Sequence, residues 1–227
     1  MRSPPSAKSS TRAERAGLEQ SAYDVGVFIN CRFDESYQPL FDAIVFSALD
    51  CGFDPRCAKQ IYDSGQVRID KIMKLIEGCR YGIHDISRTE LDRQNGLPRF
   101  NMPFELGIFL GAQRFGAGRH RNKSCLVLDR EPYRYQKFIS DIAGQDVSSH
   151  DGKTGKLIGI VRDWLSTVTG GKLLPGGARI AARFSQFTAE LPAIAEAFHL
   201  KQDELTFSNY ANFASEWLRV TAGDSLT

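Results

Sequence analysis

Cysteine and histidine are sparse in this sequence and stand apart from one another. The five cysteines (Cys31, Cys51, Cys57, Cys79 and Cys125) are odd in number, and no two form a CxxC pair. Most lie in apolar runs, so they read as reduced packing residues, which argues against a zinc ribbon or a disulfide framework. The four histidines (His84, His120, His150 and His199) are scattered, and each alone reads as structural or solvated. His84 is the best placed for chemistry, since it lies at the end of a strand. The chain also lacks GxGxxG after its first strand, GxxxxGK[ST], GxSxG and HExxH, which removes a dinucleotide fingerprint, a P-loop, a nucleophile elbow and a zincin helix. No apolar run approaches the roughly 20 residues that span a bilayer, and the first twenty residues contain no apolar signal core. The expectation is a cytoplasmic protein without a membrane partner.

An excess of one charge is missing too. The formal charge is +2, and residues 1–22, with four Lys/Arg against two Asp/Glu, carry all of it. The remaining body is neutral, which argues against direct nucleic-acid binding. Residues 1–22 are Ser, Pro, Ala and charge, a composition that predicts a flexible tail.

What the chain does have is alternation. Val25 to Ile29 is a β-rich run that ends in the polar turn Asn30 to Ser36. Pro39 then opens a helix whose Leu40, Phe41, Ile44, Val45, Ala48 and Leu49 recur at helical spacing until Gly52 stops it. Strands are expected at 53–58, 81–86 and 124–128, with a short edge strand at 145–148. Helices are expected at 67–77, from Asn101, around 135–143 and over 154–168. Strands that are continuous apolar runs between helices predict a parallel sheet covered on both faces, a three-layer flavodoxin-like α/β sandwich over residues 23–169. The segment 170–177 is rich in Gly and Pro and reads as a linker. Residues 178–227 follow as a helical appendage, with helices at 178–191, broken by Pro192, and at 203–220. The aromatic faces of that appendage call for a partner surface, either the main domain or a second copy in a homo-oligomer.

The stretch CRYGIHDISRTELDRQNGLPRFNMPFELGIFLGA, Cys79 to Ala112, organises the rest. It reads as a buried strand, a long polar loop containing Arg88, Arg93 and Arg99, and an apolar helix capped by Asn101. Glu105 is the only charge between Asn101 and Gln113. A lone carboxylate on an apolar helix needs an ion-pair partner or a function. Asn101, four residues earlier, lies on the same helical face.

This segment, together with the opening YDVGVFINCRFDESYQPLFDAI, resembles the TIR-like and nucleoside 2-deoxyribosyltransferase-like superfamily. In that superfamily a strand ending in an Asp and Ser loop precedes a helix bearing Glu-Leu-Gly. The resemblance covers residues 23–169. It departs where TIR enzymes often carry Trp-Cys before the helix Glu, since Phe100, Asn101 and Met102 stand here. The resemblance implies N-glycosidic cleavage of NAD or a related nucleotide as substrate, with no cofactor, in a defence setting. On this resemblance Glu105 is expected as the catalytic carboxylate beside an oxocarbenium-like sugar, with Asn101 holding a ribose hydroxyl or orienting the carboxylate. Asn30, Arg32 and Ser36 are placed to take phosphates, Phe33 or Tyr37 to stack on a base, and Asp85, Ser87 and Arg88 to line the opposite wall. A non-catalytic nucleotide-sensing or oligomerisation module and a deoxyribosyltransferase are the alternatives.

Overall fold

Val27, Phe28 and Ile29 leave no face polar enough for solvent, and the strand they form is buried from end to end. The structure is a computed structural model that describes residues 12–60, 65, 67–91 and 96–223. Five strands, β1 (Gly26–Asn30), β2 (Asp54–Arg56), β3 (Tyr81–Asp85), β4 (Ser124–Asp129) and β5 (Val147–Ser149), form one sheet in the order β2-β1-β3-β4-β5. Every pairing is parallel. This is the flavodoxin-like order, and the chain reverses its direction across the sheet between β1 and β3.

Helix α1 (Arg12–Val25) precedes the sheet; α2 (Gln38–Asp50), α3 (Arg68–Glu77), α4 (Asn101–Phe115) and α5 (Thr154–Val168) alternate with the strands; α6 (Gly177–Ala197) and α7 (Phe207–Gly223) follow. Alternate strand residues sort onto the two faces. Val27, Ile29, Tyr81, Ile83, Leu126 and Leu128 pack with α2 and α5, and the same apolar cluster runs on into α6 and α7. Phe28 packs with Ile72, Leu75 and Ile76 of α3 and with Phe109 of α4. In register, Asn30 lies beside His84, so both side chains share the α3/α4 face.

Helix α2 is apolar nearly all round because it is covered twice, by the sheet beneath and by α6 and α7 above. Phe46 lies 5.5 Å from Phe187, 5.6 Å from Phe184 and 6.1 Å from Trp217, between ring centroids. Arg183 pairs with Asp50 at 2.6 Å, and Tyr210 donates to the Asp42 carbonyl at 3.2 Å. The aromatic faces of the appendage therefore find their cover within this chain.

Several boundaries differ from the sequence reading. Residues 12–25 are helical where a tail was expected up to residue 22. Their anchor is the buried Tyr23, whose hydroxyl donates to the Arg119 carbonyl at 2.9 Å. Helix α6 runs through Pro192, which is exposed, so water can reach the carbonyl that the ring leaves unpaired. Two short 3₁₀ turns, Arg134–Lys137 and Ser140–Ile142, replace the helix expected around 135–143. None of the described helices is long and apolar enough to cross a membrane.

Candidate functional site

Parallel α/β sheets bind ligands beyond the carboxyl ends of their strands, at the point where strand order reverses. Here the loops after β1, β3, β4 and β5 enclose a cavity of about 460 Å³. Ser36, Tyr37, Ser87 and Arg88, all expected at the site, line it together with Arg130 and His150. Asp85 closes β3 just beneath. One of its oxygens accepts the Ser87 amide at 2.8 Å, and the other accepts the Tyr37 hydroxyl at 2.5 Å. His150 Nε2 lies 3.0 Å from that second oxygen without hydrogen-bond alignment. Burial, reinforced by the charge of Asp85, pushes the Tyr37 hydroxyl well above its usual pKa, so it stays a proton donor.

The loop after β3 is pinned by Arg134. Its guanidinium donates to Asp129 at 2.5 and 2.8 Å, to Thr89 at 2.7 Å, and to the carbonyls of Ile86 and Ser87 at 3.1 and 2.8 Å. Such a many-toothed contact holds Ser87 and Arg88 at the mouth of the cavity. Arg88 in turn donates to Ser36, which donates to Asp34 at 2.6 Å. Arg93 lies outside the described residues.

Glu105 lies elsewhere. It projects from the first turns of α4, on the opposite face of the sheet from Tyr37 and Asp85, and is not among the residues lining the 460 Å³ cavity. It is 5% exposed, and no hydrogen bond or ion pair among the described residues meets its carboxylate. Burial pushes its pKa up to about 7, and Arg68 on α3 pulls the other way. The bidentate Arg partner that a purely structural carboxylate would need is missing among the described residues.

The turn that carries Glu105 is held by Asn30. The Asn30 amide donates to the Met102 carbonyl at 2.9 Å and lies 3.0 Å from His84 Nδ1, joining β1, β3 and α4. Burial pushes the His84 pKa down to about 3, so the ring is neutral and accepts from Asn30. Gly82 makes room for it: a Cβ there would fall 2.7 Å from His84 Nε2 and 2.8 Å from the Phe109 ring.

Four expected residues therefore take other roles. Asn30 is a buried strand residue whose amide is committed to this tie, not a loop ligand for phosphate. Arg32 pairs with Asp34 at 2.8 Å. Phe33 packs edge-on against Phe41 at 5.2 Å and lines a separate cavity of about 510 Å³ against α7. Asn101 is exposed and makes no cap: Phe100 takes the cap position, with no side-chain bond. Although Asn101 and Glu105 are four residues apart, one meets solvent and the other is buried.

Sequence reasoning missed His150, Arg130 and Arg134. Each follows a strand at its carboxyl end, a signal that was available. His150 was hidden because β5 is short and only half-buried. Among the described residues no group of three His, Cys, Asp or Glu side chains is arranged to hold a metal ion. Comparison of the chain with protein-family models, with curated proteins and with solved structures finds no match in any of the three.

Proposed function

We propose that this protein cleaves the N-glycosidic bond of NAD or a related nucleotide, with Glu105 as the reacting carboxylate. The observation that carries the reading is Glu105 itself: a buried carboxylate near the strand-order reversal, with no hydrogen-bond or ion-pair partner among the described residues and a pKa of about 7. Isolated buried carboxylates are costly and accumulate at sites that use them. Near neutral pH this one is available in both forms. Ionised, it stabilises the positive charge that develops on the ribose, which is what the departure of an already cationic nicotinamide demands. Protonated, it can donate to a neutral purine as that base leaves. The resemblance of the Cys79-to-Ala112 segment, and of the opening from Tyr23, to TIR-like and deoxyribosyltransferase-like sequences supports the same reading, and the flavodoxin-like strand order suits it.

The test is incubation of purified protein with NAD and a panel of nucleosides and nucleotides, with released base measured by chromatography. Glu105→Gln keeps the volume and removes the charge. Base release should fall by about 10²- to 10³-fold. Undiminished release in that variant removes Glu105 from the chemistry. Adding a second free base distinguishes transfer from hydrolysis.

A second reading rests on one specific observation. The 460 Å³ cavity and Glu105 lie on opposite faces of the sheet, so a nucleotide held wholly in the cavity would not meet the carboxylate. On this reading the protein is a nucleotide-sensing module. Tight nucleotide binding without base release would favour it.

A further inference from the structure

The 460 Å³ cavity is bordered by two helix N-termini, and they differ in what they leave free. At α2 the first amides are already used: Tyr37 and Gln38 donate to the Asp34 carbonyl at 3.0 and 3.1 Å. At α5 they are not. The chain leaves β5 through His150, turns at Asp151 (φ 54°) and Gly152 (φ 70°), both left-handed, and enters α5 at Thr154 without a side-chain cap. The first amides of that helix have no intrahelical partner.

His150 supplies an independent pointer. Its ring is 1% exposed and lines the cavity. The Gly152 amide donates to its Nδ1 at 2.9 Å, which fixes Nδ1 as the acceptor and leaves the ring proton on Nε2. That Nε2–H lies 3.0 Å from Asp85 Oδ2 but is not aligned to hydrogen-bond it. A misaligned buried donor is only partly satisfied, and a better-placed acceptor arriving in the cavity completes it. Arg88 and Arg130 line the same cavity. Of the carboxylates at the cavity, Glu131 is held by Arg130 at 3.1 Å and Asp151 by Lys156 at 2.9 Å, while Asp85 beneath it accepts from the Tyr37 hydroxyl and the Ser87 amide.

We infer that this cavity is a binding site for a phosphate monoester, seated on the first turn of α5 and met by His150 Nε2–H and the Arg88 and Arg130 guanidiniums. A monoester fits better than a diester because it presents three terminal oxygens, one for each direction from which donors arrive: helix amides, imidazole and arginine. Arg130, which bridges Glu90 at 2.8 Å and Glu131, exchanges part of that pairing for the ligand. The inference does not depend on glycosidic cleavage, since the site lies on the other face of the sheet from Glu105.

The test is a titration followed by ¹⁵N–¹H correlation spectra, using inorganic phosphate, AMP, NAD and adenosine as separate probes. Phosphate and AMP should shift the amides of residues 152–156, NAD should shift them less, and adenosine not at all. Arg130→Gln, at an exposed position that leaves the fold intact, should weaken AMP binding about tenfold. His150→Gln should weaken it too, and its spectrum reports whether the fold is kept. Glu105→Gln should leave the shifts unchanged. Absence of shifts at 152–156, equal shifts with adenosine, or undiminished affinity in Arg130→Gln would each overturn the inference. Loss of base release with retained phosphate shifts would leave it standing while Glu105 keeps its proposed role.

Discussion

The two faces of the sheet are built on opposite plans. On one side α2 and α5 are roofed by α6 and α7, and the aromatic cluster of Phe46, Phe184, Phe187, Tyr210 and Trp217 fills the space between. On the other side α3 and α4 form a single layer, beneath which lie Asn30, His84, Glu105 and Lys123, all buried and all polar. Apolar side chains there are turned outward instead: Met73, Phe100 and Phe104 are exposed. Apolar packing is deepest on the roofed face, whose buried ionisable groups, Asp85 and His150, sit at the carboxyl ends of its strands; the thin face buries His84, Glu105 and Lys123. Lys123 illustrates the second plan. Burial lowers its pKa to about 8, and its ammonium donates to the carbonyls of Ile76 and Cys79 where α3 ends.

The largest expected effect tests the roofed face. Phe187 is fully buried and touches three rings on two helices, so Phe187→Ala should cost about 3–5 kcal/mol in urea unfolding. A loss below about 1 kcal/mol would mean that α6 is a loosely docked appendage and not part of the core. A truncation before Gly177 should likewise expose α2 and aggregate.

This contrast was only half legible in the sequence. Helical spacing in α2, α5 and α6 announced their apolar faces, and continuous apolar runs announced β1, β3 and β4, because burial on both sides leaves little choice of residue. Glu105 was legible for the same reason, as one charge in an apolar stretch. The edge was harder. A short edge strand was expected at 145–148 and stands at Val147–Ser149, but its three residues are at intermediate burial, so its end was poorly marked and His150 was passed over. Asn30 was assigned to a loop because nothing local reveals that its neighbour across the sheet is His84. That pairing is made by register between segments 54 residues apart.

A second prediction probes the thin face through pH. The Glu105 pKa is about 7 folded against an ordinary 4.5, so the folded state holds this proton more tightly. Its stabilising contribution is therefore complete below about pH 4.5 and is lost as pH rises through about 7, a loss of about 2 kcal/mol once solvent screening is allowed for. Asp42, raised to about 6 by burial, titrates in the same window. The Glu105 share is therefore read as a difference between wild type and Glu105→Gln. The variant should gain stability relative to wild type between about pH 5 and about pH 8. Parallel curves would mean that the carboxylate is solvated, and the contrast between the faces would weaken.

The smallest effect separates two arginines that share one carboxylate. Arg32 pairs with Asp34 at 2.8 Å and Arg88 approaches it at 3.6 Å, with side chains 24% and 28% exposed. Pairs of this exposure contribute roughly 0–1 kcal/mol, so Arg32→Ala and Arg88→Ala should each leave the unfolding midpoint nearly unchanged. Their ligand effects should diverge. Arg88 lines the 460 Å³ cavity and Arg32 does not. In a nucleotide titration Arg88→Ala should weaken AMP severalfold relative to adenosine, because the contact it removes is charge-assisted, whereas Arg32→Ala should treat the two ligands alike. A phosphate-selective loss in Arg32→Ala instead would move the anion site to the loop after β1, and the α5 end of the cavity would no longer be where the structure receives a phosphate.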